Sequence, residues 1–301
     1  MANFIKVLIL GLIVVGAAIY FFKQEPQFFR DIPLEKTLSP YKTYISQPAP
    51  PSSPAPALST SNYTETKTEI PESSIPKGFT REQLSPDFQK ILISSASASA
   101  WGDYPTTITV YSRLSKEENI NITGWRIKSN RRELTIPQAV GVYEPSGAAP
   151  EGDIILSGNE YVYIYSTRSP IGRNFRLNKC TGYLENTSDF EPALPRSCPT
   201  VKKEEISHLS GQCQSYIFSL GVCQPPNLDT YNSLPGTDQG NECRAFLSNI
   251  NFNSCFTKYS RDSDFLSNQW RVWVNQNILD SQHDRLLLFD KEGKVVDDYI
   301  Y

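Results

Sequence analysis

The sequence has very little histidine. His208 and His283 are the only two in 301 residues, and there is a single methionine. Neither histidine lies near a nucleophile elbow or a glycine-rich oxyanion loop, so the Ser–His–Asp arrangement that could be drawn around His283 and Asp284 lacks its other parts. No Cys-x-x-Cys pair occurs, which argues against zinc ribbons and thioredoxin-like redox sites. No excess of positive charge occurs either. The formal net charge is −3, whereas a nucleic-acid binder usually carries a basic stripe. "DTYNSLPGTDQGNE" offers Asp229, Asp238, Asn241 and Glu242 as oxygen ligands but lacks EF-hand spacing, and reads as a solvated loop. Asp297 and Asp298 alternate across a strand, so they cannot converge on one substrate. "SPYK", with Ser39 and Lys42, matches a serine–lysine acylation motif by letter only. The sequence therefore predicts no catalytic residue, no metal site and no cofactor.

Large apolar residues are also scarce over one long stretch. From residue 23 to about 85 the chain is dominated by Pro, Ser, Thr and Ala, and half of its 22 prolines fall between Pro26 and Pro86. Such a segment buries too little surface to offset its ordering entropy, and reads as a disordered stalk. As a coil it would hold its cargo about 40 Å from its root. Asn62, Asn121 and Asn186 begin N-x-S/T triplets, which are glycan candidates only in a eukaryotic secretory setting.

What is present begins with "MANFIKVLILGLIVVGAAIYFFKQE". Residues 7–22 carry no charge and span about 24 Å as a helix. Phe4 and Ile5 extend the run if Lys6 snorkels, so 4–22 can cross a bilayer, leaving 1–3 as a short cytoplasmic end. Cleavage as a signal peptide near Gly16 and Ala18 is the competing reading. The apolar Ile19–Phe22 continues past that boundary and favours an uncleaved anchor. Both readings export the rest of the chain.

Six cysteines, Cys180, Cys198, Cys213, Cys223, Cys243 and Cys255, lie within one quarter of the sequence. An even, clustered set in an exported chain predicts disulfides. That sets the orientation, with the N-terminus cytoplasmic and the C-terminal domain extracellular. "CQSYIFSL" and "CRAFLSNI" each place a cysteine at the start of a 0, 3, 4, 7 apolar stripe, the spacing of a helix face. Two antiparallel helices would bring the start of one beside the end of the other. That arrangement favours nested bridges Cys213–Cys255 and Cys223–Cys243, with Cys180–Cys198 closing the loop before them. The alternation of strands stops over about 180–266, so this helical, cysteine-rich segment reads as an insertion.

Around it run short alternating segments. "TTITVYS" turns Ile108 and Val110 to one face, and "RELTIP" does the same for Leu134 and Ile136. "DIILSGNEYVYIYS" turns at Ser157-Gly158-Asn159, then sets Val162 and Ile164 against Tyr161, Tyr163 and Tyr165. "NQWRVWVNQ" returns to alternation with Trp270 and Val272 on one face. "DRLLLFDKEGKVVDDYIY" is a hairpin whose turn uses Gly293. "KILISSAS" (90–97) is ambiguous, since Ser85-Pro86-Asp87 resembles a helix start while Ile91 and Ile93 alternate. "NINITGWRIKS" reverses its phase at Thr123-Gly124, which predicts a β-bulge that keeps Ile120, Ile122, Trp125 and Ile127 on one core. Many short strands separated by turns predict a β-sandwich over 86–301.

"NITGWRIKS", "LTIP", "IILSGNEYVYIY" and "DRLLLFDKEGKVVDDYIY", in that order, resemble the lamin-tail domain family over roughly 88–180 and 270–301. Gly124, Trp125, Gly158 and Gly293 carry the likeness, and Ser112 departs from an asparagine common in the family. The resemblance implies an immunoglobulin-like sandwich, and favours a strand for 90–97. It extends to bacterial surface proteins in which an anchor, a Pro-rich stalk and this domain occur together, with "RLNKCTGYLE" after the sandwich strands.

The functional expectation is a membrane-tethered, surface-displayed module without catalytic activity, serving binding or envelope structure. An exported hydrolase, or a hydrolase accessory domain, is the alternative. The lipid bilayer is the partner of 4–22, and an unidentified protein or glycan is the partner of the domain. The Tyr161, Tyr163 and Tyr165 stripe is the candidate binding surface, unless the insertion packs over it.

Overall fold

The structure is a computed structural model that describes residues 70–98 and 105–301. The expected cytoplasmic end, the anchor at 4–22 and most of the stalk lie outside the described residues. Among the described residues no helix is long and apolar enough to cross a membrane.

Residues 70–85, assigned to the stalk on composition, pack on the domain. Leu84 is buried and bridges to Val295, Ser85 N donates to the Val295 carbonyl at 2.8 Å, and Phe79 meets Phe289 edge-on at 6.3 Å. A few apolar residues in a Pro- and Ser-rich context are enough when a ready sheet edge receives them.

Eleven strands follow: β1 (Ile91–Ser97), β2 (Thr107–Ser112), β3 (Ile120–Asn121), β4 (Arg126–Lys128), β5 (Glu133–Thr135), β6 (Ile155–Leu156), β7 (Tyr161–Tyr165), β8 (Phe175–Asn178), β9 (Leu266–Trp273), β10 (Arg285–Phe289) and β11 (Val295–Ile300). They form a five-stranded sheet in the order β1-β2-β7-β9-β8, a four-stranded sheet β11-β10-β4-β5, and the short pair β3-β6. All neighbours are antiparallel except β7 and β9. The ambiguous 90–97 segment is thus a strand, held in the ladder by Ile91 and Ile93.

One apolar core is drawn from both large sheets. Ile91, Ile93, Ile108, Val110, Val162, Ile164, Trp270 and Val272 come from the first sheet, and Ile127, Leu134, Leu286, Leu288 and Val296 from the second. Alternation puts these residues inward because successive strand side chains point to opposite faces. Leu134, Ile136, Val162 and Ile164 fall where the pattern places them.

The reversal at Thr123-Gly124 has a different cause from the one expected. No single strand runs through it. β3 pairs with β6, whereas β4 pairs with β5 and β10, so the chain changes ladders at this point. Thr123 N donates to Asn121 Oδ1 at 3.0 Å, Trp125 N donates to the Ile122 carbonyl at 3.1 Å, and Gly124 takes φ +83°. The turn still delivers Ile122, Trp125 and Ile127 to one core.

The excursion after β8 leaves and returns at adjacent points. Asn178 at the end of β8 pairs with Leu266 at the start of β9, and Lys179 N donates to the Phe265 carbonyl at 2.9 Å. Between them lie four helices: α1 (Gly211–Ser219), α2 (Leu228–Ser233), α3 (Asp238–Leu247) and α4 (Phe252–Tyr259). Ser210, Asn227, Thr237 and Asn251 cap their first turns by accepting from backbone N–H groups, as short polar side chains do at helix starts. The apolar stripes of α1 and α3 pack together in a separate small core with Ile206 and Leu209.

All six cysteines are bridged, but as Cys180–Cys255, Cys198–Cys223 and Cys213–Cys243. The expected nested pairing, Cys180–Cys198, Cys213–Cys255 and Cys223–Cys243, is corrected on all three bridges. Two facts explain it. Cys213 and Cys243 sit on the mutually facing stripes of α1 and α3, so they meet each other directly. Cys255 does not trail the end of α3 but belongs to α4, whose apolar side meets Cys180 and Phe265.

Candidate functional site

The tyrosine stripe was the surface singled out by sequence, and the structure divides it. Tyr165 is 1% exposed and belongs to a second core with Phe175, Leu184, Phe190 and Trp273. Its cover is the segment just after β8 together with Val140, rather than the stripes of α1 and α3. Tyr161 and Tyr163 are half-buried and lie against each other, with ring centroids 6.2 Å apart. Tyr111 adds a third ring 4.7 Å from Tyr161. Their planes are tilted by only 34° and 23°. Ring faces turned to one another are not offered to a ligand, and this row presents edges.

Arg271 lies beneath the row, 8% exposed, with its guanidinium 4.4 Å from the Tyr163 centroid and bonded to the Tyr165 hydroxyl and to Gln269. Burial pushes its pKa down. Its Nε and the Trp273 Nε1 are buried without a hydrogen-bond partner among the described residues. The tyrosine rings supply the cation's main compensation.

His208 and His283 are both exposed. Asp284 is buried and already accepts from the backbone N–H groups of Asn130, Asp280 and Arg285 at 2.8, 3.1 and 2.8 Å. It anchors loops and does not orient His283. Asp298 pairs with Arg285 at 2.9 Å, while Asp297 accepts from Ile93 N at 2.7 Å, so the two carboxylates diverge. Asp229 and Asp238 open different helices, and the Asn241 amide oxygen accepts from Arg244. Among the described residues no group of three or more His, Cys, Asp or Glu side chains could hold a metal. The Asn186 amide donates to the carbonyls of Tyr183 and Cys223 at 2.8 and 2.7 Å, bonds that a glycan there would displace.

The fold-defining glycines have concrete roles. A Cβ on Gly158 would stand 2.5 Å from the Leu114 carbonyl oxygen, so only glycine fits this approach of two backbones. Gly293 takes φ +81° in the β10–β11 turn, a left-handed conformation that side chains disfavour.

A further concavity lies in the insertion. A pocket of about 420 Å³ is walled by Tyr183 from the 3₁₀ turn after β8, the extended Pro199–Val201 segment, Phe246 from α3, and Lys258 and Tyr259 from α4. Cys255 lines it, so the Cys180–Cys255 bridge forms part of its base. Lys258 Nζ donates to Glu205 at 2.6 Å on its wall. That hydrogen bond lowers the pKa of Glu205 and raises that of Lys258, so both stay charged. Burial, and then the neighbouring Tyr259, raise the pKa of Tyr183. A second lobe of about 250 Å³ shares Tyr183 and Pro199–Val201 and is lined by Ile217, Phe218, Leu220 and Val222. Phe218 and Val222 are 53% and 41% exposed, so this lobe presents apolar groups to solvent.

Sequence reasoning missed this pocket because it missed α4. Phe252, Cys255, Phe256 and Tyr259 follow the same 0, 3, 4, 7 spacing used for α1 and α3, with Asn251 as the cap. That signal was available.

No protein-family model matches the chain, and neither the curated proteins nor the solved structures contain a match to it.

Proposed function

We propose that this chain is an exported, membrane-tethered binding module whose disulfide-bonded insertion carries the binding site. The observation that carries the reading is the insertion itself. Three bridges hold about eighty residues that share only small apolar clusters, and the pocket opens on that cross-linked body. Disulfides persist in oxidising compartments, and the run over 4–22, uncharged except for Lys6 near its start, supplies a span of the needed length. Residues 23 to about 69 serve as the stalk.

The scaffold belongs, in this reading, to the lamin-tail type of immunoglobulin-like sandwich. Supporting it are the two sheets around one core, the Gly124-Trp125 corner, the Gly158 close approach and the Gly293 hairpin. The absence of catalysis is supported by the exposed histidines and by the commitment of Asp284 and Asp297 to backbone donors. The ligand is a glycan or a protein segment rather than a nucleic acid, in keeping with the net charge of −3.

Intact cells expressing the full chain, treated with a membrane-impermeant protease, test the topology. Loss of the C-terminal domain from intact cells is expected. A protected domain in intact cells, cleaved only after permeabilisation, would refute the proposal. Replacing both His208 and His283 by alanine is expected to leave any phenotype unchanged.

A further inference from the structure

The rest of the molecule offers weaker candidates than the insertion pocket. The tyrosine row has its faces occupied, and the concavity around Asp87, Glu118 and Asp290 is a charged rim on which nothing points to a ligand. The insertion pocket differs, because its lining limits what can fill it.

Its volume, about 420 Å³, falls within the range of roughly 300–1,000 Å³ typical of small-ligand sites. Tyr183 and Phe246 line it, each half-buried against a neighbouring apolar cluster and stacked on no other aromatic ring among the described residues, so what each ring leaves uncovered borders the pocket. Opposite chemistry stands beside them. Lys258 and Glu205 neutralise each other at 2.6 Å and Tyr259 also lies against the ammonium, yet an ammonium has three donors and a carboxylate keeps further acceptor sites. Asn253 adds an amide, with one acceptor and two donors. Among the described residues no hydrogen bond uses that amide or the Tyr183 hydroxyl.

These properties exclude most ligand classes in turn. An anion on a free Lys258 donor would stand beside the Glu205 carboxylate, and a cation on a free Glu205 oxygen beside the Lys258 ammonium 2.6 Å away, so like charge opposes either. A wholly apolar ligand would desolvate the ion pair and the amide without replacing their hydrogen bonds. What fits is an uncharged body with an apolar face for the rings and adjacent groups that both donate and accept. A pyranose with vicinal hydroxyls has that form, since its C–H face lies on an aromatic ring while its hydroxyls bridge a donor and an acceptor.

We infer that the insertion pocket binds a neutral saccharide residue, stacked on Tyr183 or Phe246 and hydrogen-bonded by Glu205, Lys258 and Asn253. The inference rests on the binding-module reading and names its ligand class. Phe218 and Val222, which line only the second lobe, take no part in recognising this residue.

The test uses the full chain in detergent with its disulfides intact, applied to an array of neutral, carboxylated and sulfated oligosaccharides. The best neutral hit is then titrated calorimetrically. Glu205→Gln and Asn253→Ala alter partly exposed side chains and keep the fold. Each is expected to weaken binding by at least about tenfold, as is Tyr183→Ala where its near-ultraviolet circular dichroism stays native. Phe218→Ala, in the second lobe, is expected to leave affinity unchanged. Binding confined to carboxylated or sulfated glycans would overturn the inference, as would no glycan binding at millimolar concentration, or neutral binding undiminished in Glu205→Gln and Asn253→Ala. A peptide library run in parallel separates the two levels. Peptide capture without glycan capture removes the ligand class and leaves the binding module standing, whereas no capture of either kind removes both.

Discussion

Removing the Cys180–Cys255 bridge is the most informative perturbation of this protein. The bridge closes the longest loop of the three, with a sequence separation of 75 against 25 for Cys198–Cys223 and 30 for Cys213–Cys243. The other two bridges lie inside that loop and shorten the path it closes to about 40 residues, so in the chain-entropy account it contributes about 4 kcal/mol, against about 3.5 kcal/mol for the other two. It also joins the two ends of the insertion at the place where β8 stops and α4 returns toward β9. Double replacement, Cys180→Ala with Cys255→Ala, avoids leaving a lone thiol. For a domain of this size a loss of about 4 kcal/mol lowers Tm by about 8–16 °C. Thermal and urea denaturation followed by circular dichroism measure it, with the Cys198→Ala/Cys223→Ala variant as the comparison. The double variant is expected to be the less stable of the two and to lose the pocket base. A Tm unchanged within error would refute the reasoning, because it would mean that the insertion is held by packing alone or that these two sulfurs are not joined.

Other outcomes follow from single contacts. Gly158→Ala forces a methyl against the Leu114 carbonyl and is expected to lose about 2–3 kcal/mol, whereas Gly293→Ala meets mainly its φ of +81° and loses about 1–2 kcal/mol. The reverse ranking in urea melts would contradict the close-approach argument. Burial raises the pKa of Asp297 above that of an unfolded carboxyl, so the group favours folding while protonated and that contribution fades as pH rises through its folded pKa. Asp297→Asn should therefore match the wild type in stability at acid pH and exceed it at neutral pH; a constant difference across pH would count against this. Arg271 is buried without a carboxylate partner among the described residues, so Arg271→Met is expected to change stability by no more than about 1 kcal/mol. A loss of several kcal/mol would show that the tyrosine cage matters far more than its geometry suggests.

The strands were readable because alternation is a local property. Val162 and Ile164, or Leu134 and Ile136, reveal their buried face within a few residues. The phase change at Thr123-Gly124 was readable too, but its cause was not, since a bulge and a change of ladder leave the same trace in the sequence. They differ only in which distant strand pairs with each half. The bridge pattern failed for a related reason. Helical stripes containing Cys213 and Cys243 were visible, but which stripe faces which depends on packing between segments thirty residues apart. The parallel β7–β9 pair, spanning an excursion of a hundred residues, left no local sign at all. The pocket was hidden because its walls come from separate segments that only the tertiary fold brings together, α4 among them.

The central claim is that the domain matures outside the cytoplasm with its insertion cross-linked in one specific pattern. Non-reducing peptide mapping of the protein isolated from membranes addresses it directly. Peptides joined through Cys180–Cys255, Cys198–Cys223 and Cys213–Cys243 are the predicted result, and six alkylatable thiols in the native protein would contradict it.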